Sequence, residues 1–542
     1  FVVSVSLECG EHPNIIRNMS MTAKTNTGAI PFEFGQKTKD SRVPAANRPP
    51  GKNFNMLVIG NFLGNNQSST SGTTKPIKID RDNLEEVMAK LQPSLSLPIG
   101  DSPGDDCQTV NMTFTNLDEF HPDYLYQHIE LFSEFRTLRR KLNKDSSFDA
   151  AAKKMDQWIS VATEVKTNTQ PTATAPSNGQ STNNASTEGL LDSILGDSNN
   201  SGGASTEADK LVTSLIQDAV AAYATPAPNP NKQQYIDALD QTISSTMAAL
   251  LHHPEFQALE AAWRGVDMMT RRVETDSQLT LRMLSQSKKD LLIDLAEHQD
   301  ATQSNFSKLV YDASVLPTND ERWSTVIGLY EFSDTKNDAL MLGILAKVMA
   351  NADTPFIAAG NPSLVNCTSY FYQKDATDWQ QSYQEGFIET WNTVRELPES
   401  QYISLASPRF LIRYPYGKKS QRIEAFDLEE TGSDFNAEHF LWCNGAIAHA
   451  IALCQGFSEQ HWKMSPGIIN QLERLPLAFY DDDGEQAQIP TAEIFLSESA
   501  FETLASGGLA PLISLKGSDH LQLGPLISIH HQRQALKGPW DK

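Results

Sequence analysis

Apolar and polar positions divide the chain into two patterned blocks, one preceded and the two separated by stretches with no apolar period. Phe54 to Ile59 (FNMLVI) is a short unbroken apolar run stopped by Gly60-Asn61, the form of a buried strand. Pro76 to Asp80 alternates as a half-exposed strand does, and Asp82 is placed to cap a helix over Asn83 to Leu91 that ends before Pro93. Val110, Met112 and Phe114 alternate again. From Phe120-His-Pro-Asp123 onward, Leu125, Ile129, Phe132, Phe135, Leu138 and Leu142 recur at three- and four-residue steps, which predicts one helix with a broad core-facing stripe.

The second block opens after Pro226-Ala-Pro-Asn-Pro230. Gln233 to Arg272 carries a strong helical period through Ile236, Leu239, Ile243, Met247, Leu250 and Leu251, then Phe256, Leu259, Trp263 and Val266, and His252-His253-Pro254-Glu255 divides it into two helices. A strand over Thr280 to Leu284, a helix over Lys288 to Gln299, a helix or loop over Phe306 to Val315 and a buried strand over Ser324 to Tyr330 follow. A helix over Asp338 to Ala352 leads to a buried strand over Pro355 to Ala359. Further strands are expected at Ile403 to Leu405 and Thr491 to Leu496, with a helix over Leu441 to Cys454. Arg409-Phe-Leu-Ile-Arg413 runs into the turn signal Tyr414-Pro-Tyr-Gly417. The β-α-β order is that of an α/β fold with parallel strands.

The unpatterned stretches set the boundaries. Residues 1–50 read as an extended or disordered N-terminal arm, 51–165 as a small α/β domain, 166–232 as a flexible linker and 233–542 as a larger α/β region. The linker is dominated by Ser, Thr, Asn, Gly and Pro as far as residue 209, a composition that cannot bury enough apolar surface to order itself. One island interrupts it at 188–196: Leu190, Leu191, Ile194 and Leu195 have the spacing of a short amphipathic helix, a candidate docking element for a partner or for the chain's own domain. The opening FVVSVSL has no basic flank and is followed by Glu8, Glu11 and His12, so it is a poor signal peptide, and residues 1 to about 18 are expected to lie upstream of the true start, near Met19 or Met21. No run approaches the roughly 18 to 20 apolar residues needed to cross a bilayer, and a cytoplasmic location without membrane insertion is expected.

Composition narrows the chemistry. Of 542 residues 39% are hydrophobic and 20% charged, and Lys+Arg 44 against Asp+Glu 67 leaves a net charge of −23, which disfavours nucleic acid and suits a cationic partner surface. Cys9, Cys107, Cys367, Cys443 and Cys454 are scattered, with no CxxC pair, as in a reducing compartment. No phosphate loop, dinucleotide fingerprint, GxSxG or HExxH is present. His252 and His253 are adjacent, so on a helix they point about 100° apart, and no second ligand pair supports a metal site. Asp481-Asp-Asp-Gly484-Glu485 is read as a hairpin turn and not a cation site. No catalytic, cofactor-binding or metal-ligating residue is assigned, and no cofactor is expected.

His253-Pro-Glu-Phe-Gln-Ala-Leu-Glu-Ala-Ala-Trp-Arg-Gly265 resembles a signature of the large contractile-sheath subunit of type VI secretion systems. The resemblance continues in order through Ile327-Gly-Leu-Tyr-Glu-Phe332, Pro355 to Ala359, Ser407-Pro-Arg-Phe-Leu411, Arg413-Tyr-Pro-Tyr-Gly417, Phe426-Asp-Leu-Glu-Glu430, Trp442-Cys-Asn444 and Pro490-Thr-Ala-Glu493. Its structural signature residues here are His253, Pro254, Phe256, Leu259, Glu260, Trp263, Arg264, Gly265, Pro408, Arg409, Pro415, Tyr416 and Gly417. Upstream, Phe54 to Gly60, Ile79-Asp-Arg-Asp-Asn83 and Phe120-His-Pro-Asp123 are similar to the small subunit, and the island Gly189 to Leu195 is similar to a helix near the start of the large one.

The resemblance implies intertwined sheath domains with mixed sheets flanked by helices, and a non-enzymatic role in a contractile sheath around an inner tube. It implies as partners other sheath subunits or further copies of the chain, the inner tube protein, the baseplate and an AAA+ recycling unfoldase that recognises the island. Two departures stand out: the halves are covalently joined, and the chain stops soon after Leu523-Gly-Pro525, where large subunits continue. A sheath-related accessory, cap or baseplate-proximal protein is therefore the alternative. Trp263 is expected in the core at a helix end, with Arg264 paired to a carboxylate or carbonyl and Gly265 allowing close approach. The two blocks are expected to pack as one intertwined unit.

Overall fold

Phe54–Gly60 is buried at every position, and a strand with no solvent face belongs inside a sheet covered on both sides. The computed structural model describes residues 2–5, 30–33, 52–65, 75–99, 108–144, 146–156, 232–298, 300–315, 322–418, 420–431, 436–482 and 485–541. In it this strand lies within a nine-stranded mixed sheet. Numbered along the chain, the strands of that sheet are β1 Phe54–Gly60, β2 Ile77–Ile79, β3 Leu279–Ser285, β4 Trp323–Phe332, β5 Phe356–Gly360, β6 Ile403–Ser407, β7 Gln471–Leu472, β8 Leu509–Ser514 and β9 Leu521–Leu523. Their spatial order is β7-β9-β8-β6-β5-β4-β1-β3-β2.

The first block thus supplies a central strand to a sheet built mostly by the second. β1 runs parallel to both neighbours, from Phe54 beside Leu279 to Gly60 beside Ser285 on β3, and with Val58 beside Ile327 on β4. The strands from β3 across to β8 are parallel, and the edges β2, β9 and β7 are antiparallel.

Side chains of β1 alternate between two cores, as the period of two requires. Phe54, Met56 and Val58 join the helices Lys232–Leu251, Pro254–Arg272 and Ala446–Gln460 together with the rest of the first block. Leu57 and Ile59 join Lys288–Ala296, Asn305–Val315, Lys336–Ala352, Phe387–Glu396 and Glu498–Ser506.

The remaining first block is an antiparallel pair, Ser94–Ile99 with Gln108–Thr113, and a set of helices clamped onto helix Pro254–Arg272. Phe256 meets Phe114 and Phe120 edge-on at 6.1 and 5.6 Å, and Trp263 Nε1 donates to the Phe62 carbonyl at 3.1 Å. Arg139 forks onto Asp240 at 2.7 and 3.0 Å and also reaches the Ala425 carbonyl. Both ends of the span 157–231 are pinned together, because Tyr235 Oη donates to Asp156 at 2.7 Å and Lys232 Nζ to the Asn143 carbonyl at 2.9 Å. The blocks from 52 and from 232 therefore share one core, and Val2–Val5 pairs antiparallel with Ile30–Glu33.

Several sequence expectations are corrected. The stripe from Leu125 to Leu142 spans two helices, Pro122–His128 and Ser133–Asn143, because Ile129 turns extended at ψ 134° and a 3₁₀ turn intervenes; Arg136 donates to the freed carbonyls of Tyr126 and Ile129. Helix Leu84–Leu91 is entered from Asn83, not Asp82: the Asp80 carboxylate accepts the Asp82 and Asn83 amides. Trp442–Cys443 is a strand paired with Phe410–Leu411, so the helix expected from Leu441 begins at Ala446. Residues 491–496 form turns and no strand, since Glu493 takes φ +49°. Trp263 lies mid-helix, not at a helix end.

Candidate functional site

Helix Pro254–Arg272 starts where His253, with extended backbone, accepts the Glu255 amide on Nδ1 at 3.3 Å, and Pro254 takes the first helical turn, where its missing N–H costs nothing. Phe256 and Glu260, four residues apart, occupy the same buried face as Leu259 and Trp263. A fully buried carboxylate must be paired. Glu260 Oε1 accepts Arg264 Nε at 2.7 Å and Arg413 Nε at 3.0 Å.

Arg413 is the hub. Its terminal nitrogens fork onto Glu430 at 2.8 and 2.7 Å, the bidentate geometry that suits guanidinium to carboxylate, and its carbon sits 4.4 Å from the centre of the Tyr416 ring. Glu430 also accepts the Tyr416 amide at 2.7 Å. Two guanidiniums thus balance two carboxylates. Burial alone would raise the Glu260 pKa, but Arg413 and Arg264 outweigh it and hold the carboxyl below its ordinary range. Burial pushes the Tyr416 phenol up to about 12. Beside this quartet the His252 and His439 rings stack at 4.0 Å, and burial, with His439 and Arg413 adding to it, lowers His252 to about 3, so it is neutral.

A second pair lies further along. Glu493 accepts the Arg409 amide at 2.8 Å and its guanidinium at 2.6 and 3.0 Å, and Arg409 also reaches Glu438 at 3.2 Å. The positive φ of Glu493 turns its side chain onto Arg409, which immediately follows Pro408. Gly265 permits close helix packing: a Cβ there would lie 3.0 Å from Cys443 Sγ and 3.3 Å from Ile447. At Gly417 a Cβ would lie 2.5 Å from Glu429 Oε2, and Pro415 leads the chain into buried Tyr416.

Chemically this arrangement cross-links segments of the fold. Its guanidiniums are committed to carboxylates, and the neighbouring thiols are held protonated: burial raises Cys443 and Cys454 strongly and Cys367 to about 12. In doubly wound sheets ligands sit beyond the carboxyl ends of the strands, where the winding reverses. Here β3 and β4 flank β1, and the helices that follow them, Lys288–Ala296 and Lys336–Ala352, are capped by Ser287 and Thr335. Asp290 and Asp338 fill their first turns, and Asp338 is paired with Lys288 at 2.6 Å. Carboxylates of the chain itself stand where an anion would bind.

Among the described residues no group of three or more His, Cys, Asp or Glu is placed to hold a metal, and no helix is long and apolar enough to cross a membrane. Leu190, Leu191, Ile194 and Leu195 lie outside the described residues. The signature positions from 253–265 and 408–417 are brought together by Arg413 on Glu260; Arg413, Glu430 and Glu493 each stand at one end of a matched motif but are not among the signature residues. One signal was available: Glu260 interrupts an otherwise apolar helical face, which demands a buried cation somewhere in the fold.

Residues 233–530 match the VipB family model, described as EvpB/VC_A0108, tail sheath N-terminal domain. Residues 51–166 match the model described as type VI secretion system, VipA, VC_A0107 or Hcp2. The type VI secretion system sheath protein TssC1 of Pseudomonas aeruginosa is 31% identical over 294 residues, 53% of this chain and 59% of that protein. The chain thus spans well under two thirds of that relative's length.

Proposed function

The chain belongs to the tail sheath N-terminal domain family through residues 233–530, and from that premise we propose that it is a structural subunit of a type VI contractile sheath carrying both sheath parts in one polypeptide. The observation that carries this reading is β1. The part similar to the small subunit places its strand between β3 and β4, which belong to the part similar to the large one. Such a subunit stacks with further copies or with separate sheath subunits around an inner tube, on a baseplate, in the cytoplasm, and is recycled by an unfoldase that grips the 188–196 island. It works without catalysis: its conspicuous buried charges cross-link segments of the fold, and contraction needs rigid subunits that re-pack at their interfaces.

Negative-stain electron microscopy of the purified full chain, alone and with inner tube protein, tests this. Tubes with a helical repeat are expected. Discrete particles under both conditions would point instead to a cap or baseplate-proximal accessory protein.

A further inference from the structure

Two helices on opposite sides of the nine-stranded sheet present opposite charge to solvent. Helix Ser133–Asn143 packs Phe135, Leu138 and Leu142 into the core that holds helices Lys232–Leu251 and Pro254–Arg272. Helix Phe387–Glu396 packs Phe387, Trp391 and Val394 into the core on the other face. The sheet lies between them, so their outward faces cannot meet within one copy.

On helix Ser133–Asn143 the basic side chains divide. Arg139 forks onto Asp240, Arg136 donates to the Tyr126 and Ile129 carbonyls, and the helix's one acid, Glu134, is taken by Lys154. Arg140 and Lys141, with Lys144 just past the last turn, are exposed. On helix Phe387–Glu396 the signs are reversed. Its one cation, Arg395, is engaged within the fold, donating to the Ile529 and Ser506 carbonyls at 2.8 Å each. Glu389, Asn392 and Glu396, with Glu385 just before the helix, recur at three- and four-residue steps and are all exposed, which makes one outward stripe. Ile388 lies beside it, 40% exposed. Glu396 stands in the last turn, where a carboxylate opposes the helix dipole, so local helix stability does not account for it.

We propose that the acidic stripe of helix Phe387–Glu396 in one copy docks on the basic end of helix Ser133–Asn143 in a second copy. Charge complementarity selects this occupant, pairing Glu389 and Glu396 with Arg140, Lys141 and Lys144, and the aliphatic stems of the lysines cover Ile388. The two surfaces differ and lie on opposite sides of the sheet, so the contact is heterologous and runs on from copy to copy instead of closing a two-fold dimer. The proposal rests on the sheath reading and names the residues of one copy-to-copy contact within it.

The test uses the full chain and reads the assembled fraction by sedimentation. The stripe variant Glu389→Lys/Glu396→Lys and the corner variant Arg140→Glu/Lys141→Glu/Lys144→Glu are each expected to lower that fraction by at least about tenfold, as like-charge juxtaposition does. The chain carrying both sets of changes is expected to assemble again, because its basic stripe then meets an acidic corner. Some of these reversals oppose a helix dipole, so assembly is read well below the lowest melting temperature of the set. The combined chain bears every such cost, and its recovery separates the contact from folding. Assembly that persists in either single-surface variant overturns the contact while leaving the sheath reading intact. Loss in both variants without recovery in the combined chain shows that the two surfaces meet other partners, and also overturns it. A parent that never assembles defeats the sheath reading itself, and this contact with it.

Discussion

Two charged regions of this molecule follow opposite rules. In the interior, Glu260, Arg264, Arg413 and Glu430 come from segments far apart in the chain and alternate in sign, each carboxylate held by at least one guanidinium within about 3 Å. At the tip of hairpin 479–488, neighbours in the chain share one sign and the register opposes acid to acid. The buried quartet balances its charges within the fold, although among the described residues Glu260 Oε2 and the Tyr416 hydroxyl find no hydrogen-bond partner, so its role is internal and its removal is costly. Glu485 and Gln486 on that hairpin are exposed, so changes there should hardly affect folding.

The largest effects should come from the interior. Glu260→Ala strands Arg264 and leaves Arg413 with Glu430 alone, and should destabilise by about 3 to 5 kcal/mol, the range found when one partner of a buried ion pair is deleted. Urea unfolding would measure it, and a loss below about 1 kcal/mol would mean the quartet is not a cross-link. Trp263→Ala, which deletes a fully buried ring and its hydrogen bond to Phe62, belongs in the same range of about 3 to 5 kcal/mol. An unmoved melting temperature would refute its placement.

Acid should expose an effect that is smaller per pH unit. His252 and His449 are held neutral, their pKa values lowered to about 3 and about 4, chiefly by burial. The unfolded chain binds protons at these rings below pH ~6.5, while the folded chain refuses them until pH ~3 to 4, so stability falls as pH falls through that window, by about 1.4 kcal/mol per pH unit for each ring. His252→Phe with His449→Leu should flatten the acid limb of the stability curve; an unchanged limb would contradict the burial argument. The smallest effect on folding is expected at the hairpin, where Glu485→Lys/Gln486→Lys should shift stability by no more than about 0.5 kcal/mol. A large loss there would break the contrast between the two regions.

How far the fold can be read from sequence follows the same division between local and distant causes. β1, β3, β4, β5 and β6 are legible because apolar runs bounded by turn residues mark buried strands wherever they pair, and the two helices around His252-His253-Pro254 are legible from period and punctuation. β8 is not, because Pro511 sits inside Leu509–Ser514 and a proline argues against a strand; the fold tolerates it, and its carbonyl accepts the Gly524 amide at 2.8 Å. The 491–496 segment looks extended by composition, yet pairing with Arg409 turns Glu493 out of the extended region. In the site, Glu260, Arg264 and Tyr416 were visible through resemblance to sheath proteins. Arg413 as hub was not, because it joins partners 153 residues upstream and 17 downstream, and spacing carries no trace of such distant pairings.

The central claim is that the two sheath-like parts form one body around β1, independent of the peptide that joins them. Limited proteolysis within residues 157–231, followed by size-exclusion chromatography without denaturant, tests it most directly. The fragments should co-elute at the position of the uncut chain, since β1 lies between β3 and β4 and the cut ends are held by Tyr235 to Asp156 and Lys232 to Asn143. Separation into two peaks of native fragments would contradict the account.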